Sequence, residues 1–468
     1  MGVWDFAWSI VSYISIAQLG IGTSLNRYVS KFRAEYNVER LSVAVSTTAA
    51  LQIALAALAL LATAIVAVVL PYFLDHRFGE HSDEVTGLLF FLGASIAVSL
   101  ALDTSRGVLT GCHRWALFST INSSTQIVSS LLMILVLIFG GSLVELAITY
   151  CVMAFIQGAI RTVAARLVCP EAAYGLRFIE FKFARELLVY GVRSVAIAVP
   201  SLVVTQGMYV ATTSFIGPSA LAILVRPVTL MRYIESFITR FTFQLTPMAE
   251  SIYLLEGKLR LQELALASSR TAYALTLPAS MSLLIFGDEV IRMWMGSDYV
   301  NNTVITLTAL IGCLASFDVA LVRIVVGLDL HGRGAIRAIL LTLVLASSFL
   351  LYGYWVHGFT LEYFAFAIFA SSLGVSIYLW FYCCGVLGLR RRTYVQLLLG
   401  PPTPHVLLTS IVAFGLDAYY GFTGATTVIA ITVYGLVVVG IYYRYLLPYT
   451  LRKRVGALIR PGRLAGAE

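Results

Sequence analysis

Five arginines fall inside or at the edges of long apolar runs: Arg193, Arg226, Arg232, Arg240 and Arg270. An ionisable side chain in such a run is costly to bury, so it marks a functional hypothesis. Arg226, Tyr233 and Arg240 are spaced by seven and therefore share one face of a helix. At helical rise, the two arginines stand about 21 Å apart along it. A guanidinium fork matches the oxygens of a phosphate group. Arg193, Arg226, Tyr233 and Arg240 are thus candidates to line a path for a multiply charged anion. The competing reading is that these cations reach along their stems to an interface, or pair within a helix, as Arg232 and Glu235 at i,i+3 would. Arg270 is expected at an interface.

Two further groups combine opposite charges. Asp103 and Arg106 share a helix face at i,i+3, and Asp318 with Arg323 occupies the corresponding place later in the chain. A structural ion pair or gate latch is preferred for them over ion coupling, because pairs near a surface are common and weak. Asp5 and Glu145 are expected at interfaces. Tyr209, Tyr233 and Trp115 could stack on sugars, but nothing in their spacing selects them.

The elements that carry these residues follow from composition. The chain has 468 residues, 59% hydrophobic and only 12% charged, with a mean hydropathy of +0.88. A soluble domain carries about 25% charged residues. The apolar excess runs along the whole chain. A soluble enzyme on one anchor, a secreted disulfide scaffold and a nucleic-acid binder are excluded. About thirteen segments reach the roughly 20 residues needed to span a bilayer. They are 4–25, 43–70, 86–108, 117–139, 143–168, 187–215, 220–246, 265–287, 303–327, 336–356, 361–387, 404–420 and 424–447. Leu51–Leu70 is apolar on every face and too long for a barrel strand, so the expected fold is all-α and polytopic. No basic leader precedes the first apolar run, so the N-terminus does not read as a signal peptide.

The 32 Lys and Arg alternate between loops, with about 25 in odd-numbered loops and the tail and about 2 in even ones. The fifth loop, read as cytoplasmic like the other odd loops, is assigned Arg161, Arg166, Arg177, Lys182 and Arg185. The charge rule places the C-terminus in the cytoplasm. Cys112, Cys151, Cys169, Cys313, Cys383 and Cys384 show no metal spacing and read as small packing residues. There is no phosphate loop, no HExxH, no paired catalytic carboxylates and no nucleophile elbow. No catalytic residue, metal or cofactor is expected.

The chain repeats itself weakly. Arg27 to Glu35 followed by Glu39-Arg40-Leu41 corresponds to Pro247 to Ser251 followed by Glu256 to Leu261, roughly 218 residues later. Asp103 to Gly107 with His113-Arg114 corresponds to Asp318, Arg323 and His331-Gly332-Arg333. Two six-helix lobes and a C-terminal helix pair follow, as in transporters built from internal repeats. The expected divisions are an N-terminal lobe at 1–169, a cytoplasmic linker at 170–186, a C-terminal lobe at 187–392, the helix pair at 393–447 and a basic tail at 448–468. The repeat and the charge rule both predict one more helix upstream of Met1, lost through a misassigned start or a true truncation.

Several motifs then resemble a family. Gly2-Val3-Trp4, Ser12-Tyr13, Leu19-Gly20-Ile21-Gly22, Leu25 and Arg27-Tyr28-Val29 resemble the second helix of Wzx-type polysaccharide flippases. These belong to the multidrug/oligosaccharidyl-lipid/polysaccharide exporter superfamily. Phe215 to Ala222, Leu245 to Glu250, and Met293 to Gly296 with Tyr299 are similar to later segments of the same family, in order. Two departures stand out: Gln206 is followed by Gly207 and not by an acidic residue, and the first helix is absent. The resemblance implies movement of a polyprenyl-pyrophosphate-linked oligosaccharide across the bacterial plasma membrane by alternating access, for surface polysaccharide synthesis. The partners it implies are that lipid carrier, membrane lipids, a polysaccharide polymerase and glycosyltransferases. The alternatives are a cation-coupled small-molecule exporter of the same superfamily and, further off, a membrane-embedded polymerase or ligase. The basic intramembrane charges weigh against the exporter of cations, and outer loops of about 15 residues weigh against the enzyme, which would need a large catalytic loop.

Overall fold

In hydrocarbon a backbone amide finds no partner except its own chain, so an apolar run folds as a helix. The computed structural model of the protein describes residues 2–14, 21–73, 82–195, 199–330, 332–400 and 402–445. Among these it has eighteen α-helices and no strand. The expected basic tail at 448–468 lies outside the described residues. Among the described residues eight helices are long and apolar enough to span, or ten if two bent pairs each count as one. Of the thirteen expected segments, 4–25, 187–215 and the end of 424–447 run through undescribed residues, and most of 220–246 is one continuous helix whose apolar run is interrupted by Arg226, Arg232, Glu235 and Arg240.

Packing divides the chain into two units, Met1–Leu221 and Ala222–Glu468. The first contains α1 (Gly2–Ile14), α2 (Ile21–Ala34), α3 (Val38–Phe73), α4 (Ser82–Ala101), α5 (Thr104–Gly111), α6 (Trp115–Ile138), α7 (Leu143–Val168), α8 (Phe181–Val195) and α9 (Val199–Phe215). α10 (Pro218–Phe243) starts four residues before the division. The second unit continues with α11 (Leu245–Met295), α12 (Asn302–Ala315), α13 (Val319–Gly327), α14 (Gly332–Tyr352), α15 (Leu361–Leu387), α16 (Arg391–Leu398), α17 (Pro402–Tyr420) and α18 (Ala425–Tyr445).

In the first unit α4 packs on α1, α3 and α7, while α5 packs on α2 and α7. The sharp turn before α7 uses Gly140 at φ +79°, where a side chain would strain the backbone. Ser142 then starts the helix with a capping box: Glu145 N–H donates to its hydroxyl at 3.4 Å, and its own N–H donates to Glu145 Oε2 at 2.9 Å. Segment 170–186 lies within this unit. Ala173 N–H donates to Ser42 at 3.0 Å, Gly175 N–H to Ser46 at 3.2 Å and Glu180 N–H to Thr47 at 3.0 Å. Hydroxyls on one face of α3 thus satisfy the amides of an irregular stretch.

In the second unit α11 is the spine, packed on α12, α13, α16, α17 and α18. It bends at Gly257, whose φ of 83° and ψ of −178° interrupt the helix. Leu261, Ala265, Tyr273, Leu277 and Phe286 on α11 and Leu321, Ile324 and Val325 on α13 form the core with Cys383, Cys384 and Tyr394.

Candidate functional site: two broken helices

The expected spans 86–108 and 303–327 are both broken. α4 ends at Ala101 and α5 restarts after Asp103. α12 ends at Ala315 and α13 restarts after Asp318. Asp103 (φ −75°, ψ −13°) and Asp318 (φ −114°, ψ −22°) occupy the same capping position without a side-chain cap bond. The short helices that follow end beside left-handed residues, His113 at φ 58° and Asp329 at φ 56°. The two acidic positions picked out by the repeat therefore sit in the same local structure, one in each unit.

Their surroundings differ. In the first unit Asp103 interacts with Arg106 and with Arg161. Arg106 also stands over the Phe118 ring at 5.9 Å. Arg161 was assigned to a loop by sequence; it lies inside α7 and is only 6% exposed. The polar floor of this break is completed by a hydrogen bond between Thr104 and Gln52. An acidic group facing two guanidinium groups is a compensated ion cluster. Arg161→Ala is expected to lower stability by about 0.5–3 kcal/mol, the usual range for one substitution, because buried Asp103 loses one of the two cations that compensate its charge. Adding Asp103→Asn should recover part of that loss, because the two residues share one network. Thermal unfolding of the purified single and double variants measures it, and strict additivity would contradict the coupling.

In the second unit Asp318 is 8% exposed. It interacts with Ser376 on α15 and with Glu235 on α10. Glu235, half-buried, interacts with Arg232, as its i,i+3 spacing predicts. Arg323 is five positions beyond Asp318, about 140° around α13, where Asp103 and Arg106 are three apart. Its carbonyl accepts from Thr246 at 3.3 Å. The break itself is held by Tyr394 of α16, fully buried, whose hydroxyl donates to the Phe317 carbonyl at 2.6 Å. That carbonyl lost its helical partner where α12 stops. Tyr394→Phe removes only the hydroxyl and is expected to cost about 1–3 kcal/mol through the orphaned carbonyl. An unchanged melting temperature would show that the bond is dispensable.

The candidate anion-binding residues lie on α8 and α10. Arg226 is half-buried, and its Nε donates to the Ala222 carbonyl one turn back at 3.3 Å. Tyr233, on the same face, is 68% exposed. Arg193 and Arg240 are in helix, but their side chains lie outside the described residues. Arg270, expected at an interface, is half-buried on α11 and its Nε has no partner among the described residues. Sequence reading missed Arg161, Ser376 and Tyr394. For Arg161 a signal existed: it falls within the apolar run 143–168.

No protein-family model matches this sequence, and no curated protein matches it. Solved structures do. An inward-facing multidrug resistance MATE family transporter of the MOP superfamily has a TM-score of 0.68 at 13% identity, covering 83% of this chain and 89% of that one. The eukaryotic MATE transporter AtDTX14 has a TM-score of 0.63 at 13% identity, covering 85% and 90%. The lipid II flippase MurJ, in an inward closed conformation, has a TM-score of 0.60 at 13% identity, covering 95% and 93%. The chain has the all-α, multi-pass membrane fold of these solved transporter and flippase structures. At this identity the likeness is one of fold.

Proposed function

We propose that this protein is a flippase for a lipid-linked oligosaccharide, moving a polyprenyl-pyrophosphate carrier between leaflets by alternating access. The observation that carries the reading is the extent of the likeness to the lipid II flippase. That match leaves fewer residues unpaired than α17 and α18 together hold, so at least part of the C-terminal helix pair has a counterpart there. The arginines of α8 and α10 add a chemical reason, since a pyrophosphate needs cationic forks within an apolar path. On this reading the protein acts in the bacterial plasma membrane with its C-terminus in the cytoplasm. Polysaccharide polymerase and glycosyltransferases work beside it, and it carries out no covalent chemistry.

The test is reconstitution in proteoliposomes with a fluorescent polyprenyl-pyrophosphate oligosaccharide and an impermeant quencher or a glycan-cleaving enzyme. Protein-dependent loss of leaflet protection supports the reading. Protection unchanged from protein-free vesicles overturns it. A second reading, a cation-coupled exporter of small molecules, is supported by the TM-score of 0.68 to the multidrug resistance transporter. It predicts gradient-driven efflux of cationic dyes in the same vesicles and no flipping.

A further inference from the structure

Segment 170–180 is a strap pinned along α3. Ser46 and Thr47, which accept from its amides, also donate back to it, to the Ala173 carbonyl at 3.1 Å and the Phe178 carbonyl at 3.4 Å. Ion pairs close both ends: Arg33 Nε donates to Glu171 Oε1 at 2.7 Å, and Arg40 Nη1 donates to Glu180 Oε2 at 2.9 Å. The strap therefore has a fixed place, and that place is the edge of the membrane. α7 reaches it after 26 residues, about 39 Å of helix against the roughly 30 Å of a hydrocarbon core. Its anchors Ser42, Ser46 and Thr47 sit in the first turns of α3, where that helix's apolar run starts.

The exposed side of the strap and of the helix it feeds is both apolar and basic. Leu176 and Phe181 are 87% and 85% exposed, and Ile179 between them is exposed as well. On α8, Phe183 and Leu187 turn inward, with Phe183 edge-on to Tyr28 at 4.8 Å. Phe181 lies about 200° round the helix from Phe183, so the packing of one aims the other outward. Arg177, Lys182 and Arg185 are exposed on the same stretch, and the Arg177 guanidinium rests over the Phe178 ring at 4.7 Å. The acids at the ends of the strap are occupied by Arg33 and Arg40, which leaves Glu186 as the acid of 171–186 outside these pairs. Apolar side chains flanked by cations, at the level where a bilayer ends, match a headgroup layer. There Leu and Phe enter the acyl boundary while Lys and Arg meet lipid phosphates.

We propose that Leu176, Arg177, Ile179, Phe181, Lys182 and Arg185 form a docking surface for anionic phospholipids. Leu176 and Phe181 insert at the acyl boundary, and the three cations lie against the headgroup phosphates. This surface does not depend on what the protein transports. On the charge-rule reading it faces the cytoplasmic leaflet, whose acidic lipids carry a negative surface potential. The strap is tied to α3 by hydrogen bonds, to the end of α2 by the Arg33–Glu171 pair, and continues into α8. A lipid held there thus anchors these helix ends to one leaflet.

The experiment places a benzophenone amino acid at position 176, and separately at 181, in the full-length protein. The protein is reconstituted in nanodiscs of phosphatidylcholine mixed with phosphatidylglycerol. Ultraviolet light cross-links what touches the side chain, and mass spectrometry of the intact protein reads the adduct. Lipid adducts are expected at both positions, with phosphatidylglycerol about fivefold or more above its share of the disc, the effect of one cation near an anionic surface. Arg177→Gln, Lys182→Gln and Arg185→Gln together should return it to that share. Arg177→Lys with Arg185→Lys should keep the enrichment, because surface attraction needs the charge and not the fork. High salt, which requires no variant, should lower the enrichment in the unsubstituted protein. The absence of lipid adducts, adducts at the bulk ratio, cross-links to a co-purifying protein in their place, or an enrichment that neither salt nor the triple variant changes would overturn the proposal.

Discussion

Gly327→Ala, the addition of one methyl group, is expected to remove most of the folded protein. A Cβ on Gly327 would lie 2.2 Å from the Thr246 carbonyl oxygen and 3.2 Å from the Ala249 Cβ. The obstructing atom belongs to the backbone of α11, which cannot swing aside as a side chain can. α13 would have to withdraw from the spine of its unit, uncovering Leu321, Ile324 and Val325. Overpacking costs about 1–3 kcal/mol where side chains can repack, and more where they cannot. In membranes small residues at a helix contact are what let backbones approach, since no hydrophobic force compensates for a gap. The check is the monodisperse yield in size-exclusion chromatography and the melting temperature of what survives. Gly332→Ala is the control, because a Cβ there meets nothing within 4 Å. Equal yields for the two variants would show that the close approach is not required.

The second large effect concerns transport and not folding. Arg226→Ala combined with Arg240→Ala is expected to lower flipping about a hundredfold or more. Each charged hydrogen bond to a pyrophosphate contributes about 1.5–3 kcal/mol, and each 1.4 kcal/mol is a factor of ten. Arg226 is placed for this by its own helix: the Nε bond to the Ala222 carbonyl uses one donor and leaves the terminal nitrogens of the fork. Lysine at both positions keeps the charge but not the fork, so partial recovery is expected. The measurement is the flipping rate at matched protein density in vesicles. A wild-type rate in the double alanine variant would remove the two residues from the path while leaving the flippase reading to its own assay. Arg232→Ala is a useful contrast. It strips the neighbour from Glu235, and its effect should appear in stability first.

How much of this was legible beforehand varies with the reach of the interaction. The helical class was readable from runs such as Leu51–Leu70, because whether a segment sits in lipid depends on its own twenty-odd side chains. The repeat that paired Asp103 with Asp318 was readable too, and both proved to occupy the same broken-helix position. The breaks themselves were not: 86–108 and 303–327 each look like one continuous span, since hydropathy carries no record of where a helix stops. Nor could local reading show that Asp103 faces two arginines while Asp318 faces Ser376 and Glu235. Arg161 is 58 positions from Asp103, and Tyr394 is 77 from Phe317. Hydropathy and charge spacing are properties of neighbours along the chain, and they specify the elements and their likeness to one another. The partner of a buried charge and the carbonyl a tyrosine satisfies are properties of neighbours in space, set only when the helices pack.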